Sequence, residues 1–168
     1  MTEPSVPASA GRIWRFGDNI DTDAMAPAVW MKAAPEVLAA HCLKSLRPEF
    51  PDQMQPGDVV VAGANFGIGS SREQAPQALR QLRVRAVVAP SFGGLFYRNA
   101  INLGLPVLVC PDTSRLADGM LATLDLDRAV LQLSDGTTVA CEPVPAFLRE
   151  ILQAGGLIPH LKAKLASR

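Results

Sequence analysis

Short apolar runs alternate with amphipathic segments over the first two thirds of the chain, as in folds where a helix follows each strand. The apolar runs are rich in valine and are bounded by glycine, proline or charged residues, which is typical of buried strands. Three buried strands are predicted at 57–62, 84–89 and 106–110. Three helices are predicted at 36–46, 73–82 and 94–102. The alternation indicates an α/β fold.

The pattern is less regular at the two ends of the chain. Periodicity alone does not distinguish a three-layer β/β/α arrangement from a doubly wound sheet. The further predicted elements are a half-buried strand at 12–16, a weak helix at 114–124, a hairpin of 129–133 and 137–142, a helix at 146–153 and a terminal helix after Gly155-Gly156.

Length and charge narrow the class of protein. The 168 residues suit one domain, predicted over 11–168, after a small, polar, proline-containing arm at 1–10 that we expect to be flexible. Lys and Arg total 16, as do Asp and Glu, so the basic field of a nucleic-acid binder is not expected. The sequence has no signal-peptide pattern and no apolar run near the ~18 residues of a membrane helix. We expect a soluble cytoplasmic protein.

The glycine-rich segment between the first buried strand, 57–62, and the helix that follows it carries the candidate chemistry. Ser70 and Ser71 are predicted to lie where the helix begins, so that their hydroxyls and the free N–H groups of the first turn converge. Arg72 adds a guanidinium that can grip a carboxylate through two parallel hydrogen bonds. The segment therefore predicts an anion site for a phosphate or a carboxylate.

Two other interpretations of this segment remain open from the residues alone. It can be an ordinary strand-to-helix turn with a serine cap, or the phosphate cradle of a non-enzymatic nucleotide-binding module. A dinucleotide fingerprint requires a third glycine where this chain has Arg72, and the Gly-Lys-Ser/Thr ending of a P-loop is missing. A scaffold protein that has lost its chemistry is a third possibility, against which the intact Ser70 and Arg72 argue.

Residues 65–73, Asn-Phe-Gly-Ile-Gly-Ser-Ser-Arg-Glu, closely resemble the active-site loop of the aconitase superfamily's swivelling domain, in the form found in the small subunits of isopropylmalate dehydratase. Residues 17–23, Gly-Asp-Asn-Ile-Asp-Thr-Asp, resemble a signature near the start of those subunits. The resemblance covers about residues 11–160. Gln74 and Ile68 depart from it, because many relatives have histidine and cysteine at these positions.

The resemblance implies a three-layer β/β/α swivelling domain and a hydro-lyase that removes water from a malate-type substrate and adds it back. It implies that Ser70 is the base and that Gly69, Ser71 and Arg72 bind the substrate carboxylate. Departure of hydroxide requires a Lewis acid, which relatives supply as a four-iron four-sulfur cluster. Cys42, Cys110 and Cys141 are not grouped as cluster ligands, so the cluster is expected on a separate large subunit, with no metal bound by this chain. Alone, the chain should be inactive.

By the same resemblance, residues 24–32 contact the variable part of the substrate. Val29, Trp30 and Met31 favour an alkyl group, and Lys32 could favour a further carboxylate. An alkyl-malate is the first choice, namely isomerisation of 2-isopropylmalate and 3-isopropylmalate in leucine biosynthesis. The alternatives are 2-methylmalate/citraconate, dimethylmalate and homoaconitate. The preceding Asp21-Thr22-Asp23 makes a poor cation cage and is expected to order the loop.

Overall fold

The computed structural model describes residues 10–168, so nearly all of the predicted N-terminal arm lies outside the described residues. Seven strands form one mixed sheet in the order β4-β3-β2-β1-β5-β6-β7. The first four strands are parallel to one another, and β1 pairs with β5 antiparallel, as do β5 with β6 and β6 with β7. The strands are β1 (Gly11–Arg15), β2 (Val59–Val61), β3 (Ala86–Ala89), β4 (Val107–Val109), β5 (Leu121–Asp125), β6 (Val130–Leu133) and β7 (Thr138–Ala140).

The helices connect the parallel strands and close the C-terminal end of the chain. Because β1 to β4 lie in sequence order across the sheet, right-handed crossovers place their connecting helices on one face. The helices are α1 (Thr22–Met25), α2 (Pro35–Ala39), α3 (Phe50–Gln53), α4 (Gln74–Gln81), α5 (Gly94–Asn102), α6 (Ala146–Gln153) and α7 (Leu157–Ala166), with a short 3-10 helix at Ala28–Trp30.

The antiparallel half of the sheet curls back toward the parallel half. The N–H of Glu142, just after β7, donates to the carbonyl of Val109 in β4 at 2.7 Å. The Sγ of Cys110, just after β4, lies 3.7 Å from the carbonyl oxygen of Ala140 in β7. Strands β2 and β3 are buried along their whole length, as strands covered on both faces are. The layers are therefore β/β/α, as the family resemblance implies.

The predicted helix at 36–46 is wrong in length, because α2 ends at Ala39. Leu43 has a φ of +57°, and its N–H donates to the carbonyl of Ala24 at 2.8 Å instead of continuing the helix. Cys42 and Leu43 are both fully buried in this turn. A tertiary contact thus overrides the local helical spacing.

The predicted helix at 114–124 is also wrong, because its last residues form strand β5. Gly119, with a φ of +84°, turns the chain just before the strand. Within β5, Ala122 and Leu124 are buried while their neighbours are more exposed, which is the two-residue period of a half-buried strand. The hairpin of β6 and β7 and the helices α5 and α6 agree with the sequence prediction.

Candidate active site

Three loops meet at the carboxyl ends of β1, β2 and β3, where ligands commonly bind in open parallel sheets. The loop after β2 contains the glycine-rich segment and lies between the other two. The N–H of Gly67 donates to the carbonyl of Ile20 at 2.7 Å, and the N–H of Phe66 donates to the carbonyl of Ser91 at 3.1 Å. The N–H of Thr22 donates to the carbonyl of Ile68 at 2.9 Å. Backbone hydrogen bonds therefore hold the segment on both sides.

A glycine is required where this segment passes over helix α5. Gly67 has a φ of +82°, a left-handed conformation that favours glycine. A Cβ atom built on Gly67 would lie 2.3 Å from Cγ of Phe96, so no side chain fits between the backbone and that ring. Phe96 is almost completely buried and packs edge-on against Phe66. This close contact sets the direction in which the chain leaves toward Ser70.

Ser70 and Ser71 are both exposed, at an open face of the protein. The hydroxyl of Thr22 donates to the carbonyl of Ser70 at 2.8 Å, which fixes the Ser70 backbone and leaves its side chain free to face solvent. The predicted placement at a helix start is wrong, because α4 begins at Gln74 and its cap, Glu73, makes no side-chain capping hydrogen bond. The helix dipole acts mainly within the first turn, so it contributes less at Ser70 than the sequence suggested.

Arg72 is held in a fixed position by Asp23. Its Nη1 donates to Oδ1 of Asp23 at 2.8 Å and to the carbonyl of Ala26 at 2.9 Å. The Arg72 side chain is 19% exposed, whereas that of Asp23 is 62% exposed. The hydrogen bond from Arg72 is the main cause that lowers the pKa of Asp23 below its ordinary value, which favours the ionised carboxylate. Nη1 is anchored, and the opposite edge of the guanidinium is not used in this pairing.

Asp21, Thr22 and Asp23 each have an ordering role. Oδ1 of Asp21 accepts from the N–H of Ala24 at 2.8 Å and caps α1, while Thr22 supports Ser70. The resemblance implied that Thr22 and Asp23 help to shape the pocket, but the ion pair of Asp23 with Arg72 was not predicted. A hydrogen-bonded group of Asn19, Asn65 and Ser91 was also missed, and no local sequence pattern brings these three positions together.

The segment predicted to contact the variable part of the substrate, residues 24–32, adjoins Arg72. The N–H of Ala28 donates to Oδ1 of Asp23 at 3.2 Å, so one carboxylate joins this segment to the guanidinium. Val29 is 84% exposed and Trp30 is 36% exposed, while Met31 is half-buried and Lys32 is exposed. The Trp30 indole stacks on the His41 imidazole, with ring centroids 4.0 Å apart and planes 5° apart.

The cysteines do not form a metal site. Cys42 is buried by itself, and burial raises the pKa of its thiol. Cys110 and Cys141 are also buried, at the junction of β4 and β7, and a hydrogen bond from Cys141 lowers the pKa of Cys110 to about 7. Within residues 10–168, no three His, Cys, Asp or Glu side chains are grouped to hold a metal ion.

The same residues include no helix that is long and apolar enough to cross a membrane.

Ser70 and Ser71 lie on the surface. A shallow cavity of about 290 Å³ is lined by residues between 18 and 24, Asp23 among them, together with Ser45 and Leu46. A second cavity, of about 560 Å³, lies on the antiparallel half of the sheet around Arg85 and Arg128, away from the glycine-rich segment. The groups predicted to bind substrate thus form one open wall of a site.

Comparison with known proteins identifies the family that this chain resembles. The family described as Aconitase C-terminal domain matches residues 41–112. The 3-isopropylmalate dehydratase small subunit of Syntrophus aciditrophicus is 45% identical over 157 residues, covering 92% of this chain and 96% of that protein. The isopropylmalate/citramalate isomerase small subunit of Methanocaldococcus jannaschii is 43% identical over 159 residues, covering 93% of this chain and 95% of that protein.

A solved structure confirms the fold. The crystal structure of 3-isopropylmalate dehydratase from Methanocaldococcus jannaschii superposes with a TM-score of 0.89 at 42% identity, over 94% of this chain and 95% of that one. Both the predicted aconitase-type fold and the predicted family are therefore confirmed. The chain belongs to the family of 3-isopropylmalate dehydratase small subunits, the hydro-lyase subunits with an aconitase-type domain.

Proposed function

We propose that this chain supplies the carboxylate grip and the base of a two-subunit hydro-lyase that isomerises 2-isopropylmalate and 3-isopropylmalate. The observation that carries the proposal is the anchoring of Arg72 through Nη1 to Asp23 and Ala26, beside the exposed Ser70 and Ser71. A guanidinium held on one side can present its other edge to a carboxylate without first losing side-chain freedom. The activity would belong to leucine biosynthesis, as the names of the relatives imply.

Ser70 is the proposed base. Its Oγ, as an alkoxide, takes the proton from the carbon beside the carboxylate that Arg72, Ser71 and the Gly69 backbone bind. A serine hydroxyl is a weak base, so nearby positive charge must stabilise its ionised form. Because α4 begins only at Gln74, most of that stabilisation falls to Arg72 and to backbone N–H groups of the segment. Asp23 limits the positive charge of Arg72 while it fixes the guanidinium's direction.

The group that assists departure of hydroxide is proposed to lie on the partner. The buried, scattered cysteines of this chain do not fit a four-iron four-sulfur cluster, which requires thiolates grouped around one position. We therefore assign the cluster to a large subunit that docks over the open wall formed by Ser70, Ser71 and Arg72. The names of the relatives, which are small subunits, support such a partner.

An alkyl-malate is the proposed substrate class, because the most exposed large apolar side chain of the 24–32 segment is Val29 and its neighbour is the partly exposed Trp30. One relative is named as an isomerase of both isopropylmalate and citramalate, which is 2-methylmalate, so the smaller substrate is the second candidate. Homoaconitate is the third substrate candidate, because the exposed ammonium of Lys32 could pair with an additional carboxylate.

The test is a set of single substitutions in the enzyme assembled with its large subunit, measured by the absorbance of the unsaturated intermediate. Ser70→Ala is expected to lower kcat by about 10³-fold with little change in KM, because it removes the base. Arg72→Lys is expected to raise KM at least about tenfold, because an ammonium cannot make the two parallel hydrogen bonds that a guanidinium makes to a carboxylate. Ser134→Ala, in the distant β6–β7 turn, is the matched control. Its kcat and KM should equal those of the native enzyme.

Two outcomes would contradict the proposal. If Ser70→Ala keeps normal kcat, another group is the base. If the purified chain with substrate and iron turns over without a large subunit, the division between the two chains is wrong. Titration of a nucleotide and of a malate analogue against the assembled enzyme tests the binding-module alternative, which requires the nucleotide to bind and the malate analogue to fail.

A further inference from the structure

Besides the buried Met25 and Ala26 and the backbone bond from Leu43 to Ala24, two side-chain contacts hold the 24–32 segment. Near its start, Arg72 and Asp23 bind the backbone of Ala26 and Ala28. Near its end, the indole of Trp30 lies flat on the imidazole of His41. The 3-10 helix between these contacts has no buried residue, so the core does not orient its side chains. The stack on His41 therefore helps to set the direction of Trp30.

His41 is itself well fixed. It lies in the turn after α2, and its N–H donates to the carbonyl of Leu38 at 3.0 Å. Its two successors, Cys42 and Leu43, are completely buried, and the N–H of Leu43 donates to the carbonyl of Ala24. The same short turn thus carries the imidazole and ties to the start of the 24–32 segment. His41 is connected to the core on one side and to the segment on the other.

The stack covers part of the Trp30 indole and leaves part of the residue exposed. The ring centroids of Trp30 and His41 lie 4.0 Å apart with planes 5° apart, and Trp30 is 36% exposed. The exposed Val29 precedes it directly. Together they offer a flat ring and a branched alkyl group, which is a surface suited to an apolar substituent.

We propose that His41 is a positioning residue for substrate choice: by stacking on Trp30 it fixes the indole face that meets the alkyl group of the substrate. This inference rests on the proposed role of the 24–32 segment. His41 itself need not touch the substrate. Without the imidazole, the indole gains rotamers, and the enzyme loses discrimination between alkyl groups of different size while the carboxylate grip at Arg72 is unchanged.

The first measurement uses the chain by itself. Of its two tryptophans, Trp14 is completely buried and Trp30 is not, so acrylamide quenching of fluorescence reports mainly on Trp30. His41→Ala should raise the quenching constant roughly twofold, because a ring has two faces and the imidazole covers one. His41→Phe, which keeps a flat ring, should leave it unchanged. His160→Ala in α7 is the matched control.

The second measurement uses the assembled enzyme and compares kcat/KM on isopropylmalate with kcat/KM on 2-methylmalate. His41→Ala should change this ratio by about threefold to tenfold, the size of one aromatic contact, mainly through KM for the larger substrate. His41→Phe should restore the ratio. A general loss of folded protein would lower both values equally and leave the ratio unchanged, so the ratio separates positioning from stability.

The outcomes separate this inference from the function on which it rests. If quenching does not rise in His41→Ala, the stack does not position Trp30 and the inference is wrong. If Trp30→Ala changes the substrate ratio but His41→Ala does not, the 24–32 segment selects the substrate without help from His41. If Trp30→Ala leaves the ratio unchanged, the proposed role of the segment fails, and the role of His41 fails with it.

Discussion

At the scale of single residues, the pairing of Arg72 with Asp23 combines two opposing effects. The carboxylate fixes the direction of the guanidinium, since Nη1 also reaches the carbonyl of Ala26. The same carboxylate reduces the attraction of Arg72 for a substrate anion, because the pair is neutral as a whole. Since Oδ1 of Asp23 also accepts from the N–H of Ala28, one carboxylate links the carboxylate grip to the backbone of the 24–32 segment.

Replacing Asp23 should therefore affect catalysis more than folding. An exposed ion pair contributes about 0–1 kcal/mol to the free energy of unfolding, and the Asp23 side chain is 62% exposed. Asp23→Ala should lower kcat/KM by about tenfold, the loss of one charge-assisted hydrogen bond. Asp23→Asn, which keeps an acceptor oxygen, should have a kcat/KM between those of the native enzyme and Asp23→Ala. Steady-state kinetics of the assembled enzyme is the measurement, with the exposed Asp52→Asn as control, and equal values for Asp23→Ala and the control would contradict the role.

The pH dependence of this pair has a definite sign. Arg72 lowers the pKa of Asp23 from its ordinary value of 3.8, so the folded state favours the ionised carboxylate. The stability from the pair is present above the pKa of the unfolded state and is lost as the pH falls through the lowered pKa of the folded state. Thermal unfolding of the native chain and of Asp23→Ala should thus differ by a constant amount near neutral pH and converge in strong acid.

At the scale of elements, the position of the glycine-rich segment depends on its contact with α5. A Cβ on Gly67 would lie 2.3 Å from Phe96, and its φ of +82° adds backbone strain for any other residue. Gly67→Ala should lower the free energy of unfolding by more than about 2 kcal/mol. Gly94→Ala is the matched control, because nothing lies within 4 Å of its Cβ position, and it should be neutral in urea unfolding. A neutral Gly67→Ala would mean that this contact does not fix the segment.

Elements with a strong local pattern could be predicted from the sequence, and elements that long-range contacts define could not. The periodicity of the valine-rich strands and of helix α5 is enough to predict them, so their predicted and observed positions agree closely. The turn around Leu43 depends on a bond to Ala24, which no local pattern reveals. For the site, Ser70 and Arg72 were found through the glycine-rich segment, but the partners that hold them, Thr22 and Asp23, come from another loop.

At the scale of the whole molecule, the candidate chemistry and a main stabilising network occupy opposite ends of β2. Asp58, just before β2, is buried and accepts from the N–H of Arg12 at 2.9 Å, from Nε1 of Trp14 at 2.8 Å and from the N–H of Gln55 at 2.9 Å. The site loop leaves the other end of the strand. Stability and catalysis can therefore be changed separately.

Asp58→Ala should lower the free energy of unfolding by about 3 kcal/mol or more, because three donors lose their acceptor in a buried place. Per folded molecule, kcat and KM of the assembled enzyme should stay the same. Denaturant unfolding, with fluorescence of the buried Trp14 as signal, measures the first quantity, and the exposed Asp52→Ala is the control. A change in KM without a loss of stability would show that the two ends of the strand are coupled.

The hydrogen bond from Glu142 to Val109 also affects how copies of the chain behave toward one another. A sheet with free outer strands presents rows of unpaired N–H and C=O groups that can recruit strands from other molecules. Here the outermost strands β4 and β7 are only three residues long, and the chain leaving β7 turns back onto β4. A subunit synthesised ahead of its partner thus offers little strand edge for fibre formation, so resistance to aggregation is part of the topology itself.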